Sequence, residues 1–577
     1  MKIGLIGINM YSKYLNFACG LHVWAFQQFL LQHGIEAVIV DYKPVYFDNF
    51  DLRCPLKYYR RKLRKKKREI ALTEEEQEQK KQSLDNLREI TNQWKALREE
   101  REVRYDKFQA FIDTHYRKTE EEYDSDLLEI KDPGFDCYIC VTDVIWKTLP
   151  SYMYDRGFFL ASKAMEGKAK ISYAVSRGVP KPYTQEQKDL FFYYVNDIDD
   201  ISVREKSLKD FLEENSPKKA ELVLDPVLLQ DKAFWQRFSV KPEEQGYVLL
   251  YYVMEQAADT IKRAVEYAKK HDLPIVELSD RPIKGGRIKD EGVKHIAKYD
   301  IGMEEWLGYI EHADCIFTNS FHGCCFSIVF EKLFYVGRRK GDKVTNILQT
   351  FGLQQLRLPK KSDSKTPEGK KNLMKRLFRA IKRLPQENGK STDIFSLMPQ
   401  SIDYSKVRRR LEEERKVSED FILTAISRAE KRFEAGEKKD LSHYDAFRRQ
   451  LTYPLYYISG SSEAGSTYDA EKPECQVKQR SNGMLEYSDT SRKCQNDGAS
   501  CFEKNGFHLQ GRKFTGWKLR IQIDNRWFWY MKDGSLKLSE DYDHAFEQQI
   551  QIFDDKARIP HIPVNHIRKA KAEAVWL

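Results

Sequence analysis

No stretch of this chain approaches the roughly 18 uninterrupted apolar residues that a membrane-spanning helix needs, and the opening MKIGLIGINMYSKY holds an apolar run too short for a secretory signal. The expectation is a cytoplasmic protein. Cysteine is sparse: 10 in 577 residues is no disulfide scaffold, and several lie inside apolar runs, as thiols of a reducing compartment do. Glycine-rich phosphate loops are missing as well. Neither GxGxxG nor GxxxxGKS/T occurs, so dinucleotide and P-loop readings lose their main support. No repeat of fixed period is present.

What is present is length and apolar surface. Hydrophobic residues make up 41% of the chain, enough for several cores, and 577 residues suggest two to four domains. With 98 Lys and Arg against 88 Asp and Glu, the formal charge is +10. That surplus suits anionic small molecules, lipid surfaces or nucleic acid alike and does not choose among them.

Apolar runs at Lys2 to Ile8, Glu36 to Tyr42, Cys137 to Asp143, Lys170 to Ser176, Asp200 to Arg204 and Glu221 to Asp225 read as strands. So do Tyr247 to Met254, Pro274 to Ser279 and Cys315 to Asn319. Helical periodicity separates most of them, which predicts an α/β fold with helix-covered parallel sheets. The pattern divides into residues 1–230 and 245–357, and a crevice between two such domains is the natural ligand site. Charged runs over 51–123, with capping-box spacing at Thr73 to Glu76, predict a projecting helical hairpin inserted into the first domain. A Lys-rich insertion follows at 359–400, closing helices at 401–440, and a β-rich module at 441–577. The basic segment 60–68 reads either as a solvated helix face or as a contact to acidic lipid or nucleic acid. The stretch 371–384 reads either as a surface helix docking its apolar stripe on the domain or as a helix lying in a membrane interface, so that both segments could make peripheral contacts at the inner face of the membrane. Trp517, Trp527 and Trp529 of the module are either core or sugar-stacking residues.

Three strand ends carry candidate chemistry. His322 stands where the Cys315 run turns into a helix near Gly323, a place suited to anion binding and proton transfer. Arg204 ends another run and can clamp a carboxylate or phosphate, or else pair with Glu205. Asp143 ends a third and reads as a helix cap or a ligand contact. No metal site is expected. Cys137 and Cys140 read as core, and Cys475, Cys494, Cys501 and His508 match no zinc spacing.

These stretches together resemble the polysaccharide pyruvyl transferase family. Asn16 to Gln27 is similar to its opening NYGxxLQxYALQ, Thr142 to Trp146 to GSDQVW, Ser172 to Ser176 to SYAAS, and Ile201 to Glu205 to ISVRE. Leu224 to Leu229 resembles VLDPTLL, and Glu305 to Leu307 with Ala313-Asp314 and Thr318 to Gly323 resembles WL…AD…TDSFHG. The resemblance implies two Rossmann-like domains facing across a cleft, a GT-B-like arrangement. It implies transfer of an enolpyruvyl-derived unit from phosphoenolpyruvate, a donor substrate and not a cofactor, to a sugar of a cell-surface polysaccharide or a lipid-linked precursor. Nucleic acid is not an expected partner. His322 and Arg204 would be catalytic, with Asn16, Asp143, Trp146, Asn319, Ser320, Gly323, Arg338 and Arg339 binding substrate. Asn16-Phe17-Ala18 stands for Asn-Tyr-Gly, and Ser320 stands where some members have arginine, with Arg338, Arg339 and Lys343 as substitutes. A nucleotide-sugar glycosyltransferase and a non-catalytic glycan- or membrane-binding member are the alternative readings.

Overall fold

The computed structural model describes residues 1–359 apart from short breaks, Phe395, residues 398–439, and beyond 440 a set of strands with a few neighbouring positions. The first sheet holds β1 (Ile3–Gly7), β2 (Ala37–Tyr42), β3 (Lys118–Tyr123), β4 (Cys137–Asp143), β5 (Ala169–Val175), β6 (Asp200–Val203) and β7 (Ala220–Leu222). All seven are parallel, in the order β3-β2-β1-β4-β5-β6-β7. The second sheet repeats that logic with β8 (Val248–Tyr252), β9 (Ile275–Ser279), β10 (His295–Lys298), β11 (Cys315–Thr318) and β12 (Phe334–Val336), ordered β10-β9-β8-β11-β12. β1, β8, β9 and β11 are buried along their whole length, as apolar runs covered by helices on both faces require. Each sheet reverses its winding once, between β1 and β4 and between β8 and β11, and these are the places where Rossmann-like domains bind ligands. The two domains make the GT-B-like pair.

Three edge strands went unread in the sequence, among them β12, an apolar Phe-Tyr-Val of only three residues. β3, Lys-Thr-Glu-Glu-Glu-Tyr, has no apolar run to betray it, and β10, His-Ile-Ala-Lys, has an apolar pair only.

The charged insertion is docked instead of projecting. Following α1 (Cys19–Gln32) in chain order, it forms α2 (Leu56–Arg68), α3 (Glu74–Ala96) and α4 (Arg98–His115), with the capping box present at Thr73 and Glu76. Arg104 of α4 is fully buried: its Nη2 donates to the Leu15 carbonyl at 2.6 Å and its Nη1 to Ser279 of the second domain at 3.2 Å. Lys107 pairs with Glu305, and Lys284 with Glu100, so the insertion spans both domains. A long closing helix, Tyr404–Glu434, does the same at the other side. Its Tyr404 donates to carbonyls of Ser327 and Lys332, while Ser418 accepts from the Leu224 amide.

In the tail, strands Phe514–Ile523, Arg526–Tyr530, Leu536–Leu538, Ile552–Phe553 and Lys569–Trp576 share one antiparallel sheet. Trp529 is buried in a cluster with Met531, Phe546 and Ile550, which is a packing role. The basic stretch 371–384, Cys494, Cys501 and His508 lie outside the described residues. No helix of the described residues is long and apolar enough to cross a membrane.

Candidate active site

A cavity of ≈ 850 Å³ opens where the carboxyl ends of the two sheets face each other. The first domain contributes Asn16, Asp143 and Arg204, the second Ser320, Phe321, His322, Arg339 and Lys343. The insertion closes one side with Tyr58 and Lys62, and the loop after β1 adds Lys13.

Asp143 ends β4 on strained backbone. Its φ is 61° and that of Thr142 is 40°, left-handed values that side chains other than glycine rarely adopt. The strained turn is tied to the neighbouring strand, because the Ser176 amide donates to the Asp143 carbonyl at 2.9 Å. Arg204 leaves the end of β6 and binds two carboxylates at once. Its Nη2 lies 2.7 Å from Asp143 Oδ1 and its Nη1 2.6 Å from Asp225 Oδ2, while the guanidinium carbon sits 4.6 Å from the centre of the Phe321 ring.

Asp225, just past β7, is the centre of the constellation. Its Oδ2 also accepts from Thr142 Oγ1 at 2.9 Å and lies 3.5 Å from His322 Nε2 of the opposite domain. Burial alone would raise this carboxyl. The nearness of His322, with Arg204 behind it, outweighs burial and holds it well below the usual carboxylate range. Asp143 is also held well below that range: burial opposes, but Arg204 and Lys343 prevail. Arg204 is correspondingly raised, its burial being overcome by the two acids. Lys343 is brought down to about 8 by burial and by Arg204.

His322 sits in the first turn of the helix Phe321–Val329. Ser320 caps that helix, accepting from the Gly323 amide at 3.3 Å, so the helix starts two residues before the point the sequence suggested. Beside His322, at 5.8 Å between ring centres, lies His22 of the helix Cys19–Gln32. It is fully buried, and burial takes it down to about 4, so it is neutral at physiological pH.

The other residues named from sequence divide in two. Asn16, Asp143, Ser320, Arg339, Arg204 and His322 line the cavity. Trp146, Asn319, Gly323 and Arg338 do not. Trp146 is fully buried, donates to Phe158 O at 3.1 Å and stacks on Phe159. Asn319 is spent on the Val253 backbone, accepting from its amide at 2.8 Å and donating to its carbonyl at 3.0 Å. At Gly323 an added Cβ would lie 2.5 Å from Thr318 Oγ1, which makes the glycine a packing requirement of the strand-to-helix turn. Arg338 is exposed. The lost glycine at Ala18 costs nothing in backbone strain, since φ there is −73°. Sequence reading missed Asp225, Lys13, Lys147, Cys19 and His22 as site residues. Asp225 alone carried a signal, an acid directly after a strand and before Pro226.

A sequence profile described as polysaccharide pyruvyl transferase matches residues 19–336. No curated protein matches the chain. Among solved structures, an alpha-glucosyltransferase in complex with UDP and DNA is 9% identical, covering 73% of this chain and 95% of its own at a TM-score of 0.32. A putative UDP-N-acetylglucosamine 2-epimerase from Listeria monocytogenes is 10% identical, with 61% and 82% covered and a TM-score of 0.31. The calicheamicin glycosyltransferase CalG4 is 10% identical, with 74% and 97% covered and a TM-score of 0.31.

Proposed function

The chain belongs to the polysaccharide pyruvyl transferase family, and from that premise we propose that it transfers an enolpyruvyl-derived unit from phosphoenolpyruvate to a saccharide, closing a pyruvate ketal. The observation that carries this reading is the meeting of His322 and Asp225 across the domain interface, on the wall of a cavity rich in Lys and Arg. An imidazole facing a buried carboxylate is suited to deliver a proton to a substrate in the cavity.

In this reading His322 gives its proton to the methylene carbon of the donor, leaving a cationic centre at C2. A sugar hydroxyl attacks C2 and its proton returns to the imidazole. Phosphate then departs with the C2–O electron pair, a second hydroxyl of the same sugar attacks the regenerated cation, and its proton leaves with the phosphate. One phosphoenolpyruvate and one diol become one ketal and one hydrogen phosphate. Lys343 and Arg339 face the same cavity and suit the carboxylate and phosphate of the donor. Both terminal nitrogens of Arg204 are engaged by Asp143 and Asp225, so its part here is to hold those carboxylates, in place of the donor clamp expected from sequence.

Purified protein with phosphoenolpyruvate and an acceptor glycan is expected to release phosphate, and His322→Ala to cut that rate by on the order of a hundredfold or more. An unchanged rate removes His322 as the acid. A melting temperature that phosphoenolpyruvate leaves unmoved counts against the donor itself.

A further inference from the structure

One buried side chain beside the cavity has no satisfactory account in the mechanism above. His22 is wholly enclosed, and neither Nδ1 nor Nε2 has a hydrogen-bond partner. A neutral imidazole always carries one N–H and one lone pair, so an enclosed ring without partners is a costly arrangement that calls for something to occupy it. The ring is not isolated from chemistry. Its nitrogen, the thiol of Cys19 and a carboxylate oxygen of Asp143 all lie within 4.8 Å of one another, the one such cluster among the described residues. Against the family opening NYGxxLQxYALQ, His22 stands at the position of the first glutamine.

We propose that Cys19, His22 and Asp143 form a binding site for a borderline-soft divalent metal ion, of which zinc is the type, with an open coordination position facing the cavity. Sulfur, imidazole nitrogen and carboxylate oxygen are zinc's ordinary donors, and three protein ligands with a free fourth position are the pattern of a zinc site that takes up a ligand. A tetrahedral ion holds such atoms about 3.3–3.7 Å apart, within reach of modest side-chain rotation.

The fold supplies the ligands from rigid parts. Cys19 and His22 are three apart in the first turn of their helix and so share a face. Asp143 comes from β4, beside β1 at the reversal of the sheet, on the strained backbone described above. Arg204 and Lys343 both face its Oδ1, which leaves Oδ2 for the ion. Cys19 and Asp143 themselves line the cavity, so the open position points to where an anionic oxygen of a bound molecule would sit. Binding the dication as the Cys19 thiol gives up its proton raises the local charge by one beside the carboxylate that Arg204 and Lys343 already share, which suits an anionic ligand at the open position. The site departs from the expectation, drawn from sequence, that no metal is held. It does not depend on phosphoenolpyruvate being the donor.

The test is metal binding by the full chain, stripped with a chelator and equilibrated with Zn2+ or Co2+. One ion per chain is expected by elemental analysis, and the Co2+ form should show tetrahedral d–d absorption with a thiolate-to-cobalt charge-transfer band. Cys19→Ser should abolish the charge-transfer band, and His22→Gln should weaken Zn2+ binding at least tenfold, with circular dichroism confirming that both variants fold. A wild-type Co2+ spectrum without the thiolate band overturns the proposal whether or not the variants fold. So does Zn2+ binding of equal strength in wild type and both variants, which would send the ion elsewhere on the chain.

Discussion

The two sheets share a strand order and reverse it at the same place, yet they arm the cleft with opposite devices. At the end of β4 the first domain throws Asp143 forward on left-handed backbone and steadies it with Arg204 from the next strand but one. At the equivalent end of β11 the second domain turns at once into a capped helix whose first turn delivers His322. One side supplies fixed charge locked in ion pairs, the other an imidazole, a side chain with both a donor and an acceptor nitrogen. The fold places the two strand ends face to face, and the chemistry of each short loop decides what meets there.

The sharpest way to break this comparison is at the point of contact. Asp225→Ala leaves Arg204 buried with one acid fewer, and His322 without its neighbour. Losing one partner of a buried ion pair costs about 3–5 kcal/mol, read by chemical denaturation. A loss under about 1 kcal/mol would mean that the first domain is not held by charge at all.

A second buried carboxylate of the first domain sharpens the contrast further. Asp155 has Tyr42 and the Gly157 amide as partners of Oδ1, while Oδ2 has none. Burial, against those hydrogen bonds, pushes it from 3.8 up to about 6. A raised acid binds its proton more tightly in the folded chain, so its contribution is intact below about pH 4 and is lost as pH climbs through 6. Asp225, depressed, contributes in the opposite sense: its stabilisation is present at neutral pH and lost in acid. Asp155→Asn should therefore gain on wild type between pH 4 and pH 7, by about 2–3 kcal/mol, a shift that thermal melts across that range would register. A constant difference over the range would place the Asp155 proton elsewhere.

How much of this was legible beforehand follows from what each feature depends on. Most strands of both sheets announced themselves because burial on two faces demands continuous apolar runs, as in Val-Leu-Leu-Tyr-Tyr of β8, while the three-residue Phe-Tyr-Val of β12 was too short to stand out. β3 escaped because an edge strand tolerates Lys-Thr-Glu-Glu-Glu-Tyr. The insertion's periodicity was readable, but its docking was not, since nothing local marks Arg104 as bound for carbonyls of two domains. The same holds at the site. Arg204 and His322 were visible as strand-end residues, whereas Asp225 becomes central only through partners 21 and 97 positions away along the chain. Trp146 and Asn319 lie in the motifs that carry the family resemblance, and in the structure they serve packing and backbone closure, so a motif marks a region more surely than a role.

The smallest expected effect tests the second domain's half of the comparison. Ser320→Ala removes the oxygen that accepts from the Gly323 amide and should cost about 1 kcal/mol, the ordinary value of an N-cap. The helix itself is buried along its length, with Cys324, Cys325 and Phe326 fully enclosed, so packing will keep it formed and His322 near its place. Turnover should therefore fall less than tenfold in a phosphate-release assay, against the hundredfold expected for His322→Ala. A loss as large as that of the histidine variant would show that the hydroxyl of Ser320 acts on the substrate directly. The second domain would then contribute two reacting groups, and the division of labour between the two strand ends would no longer be one of fixed charge against moving proton.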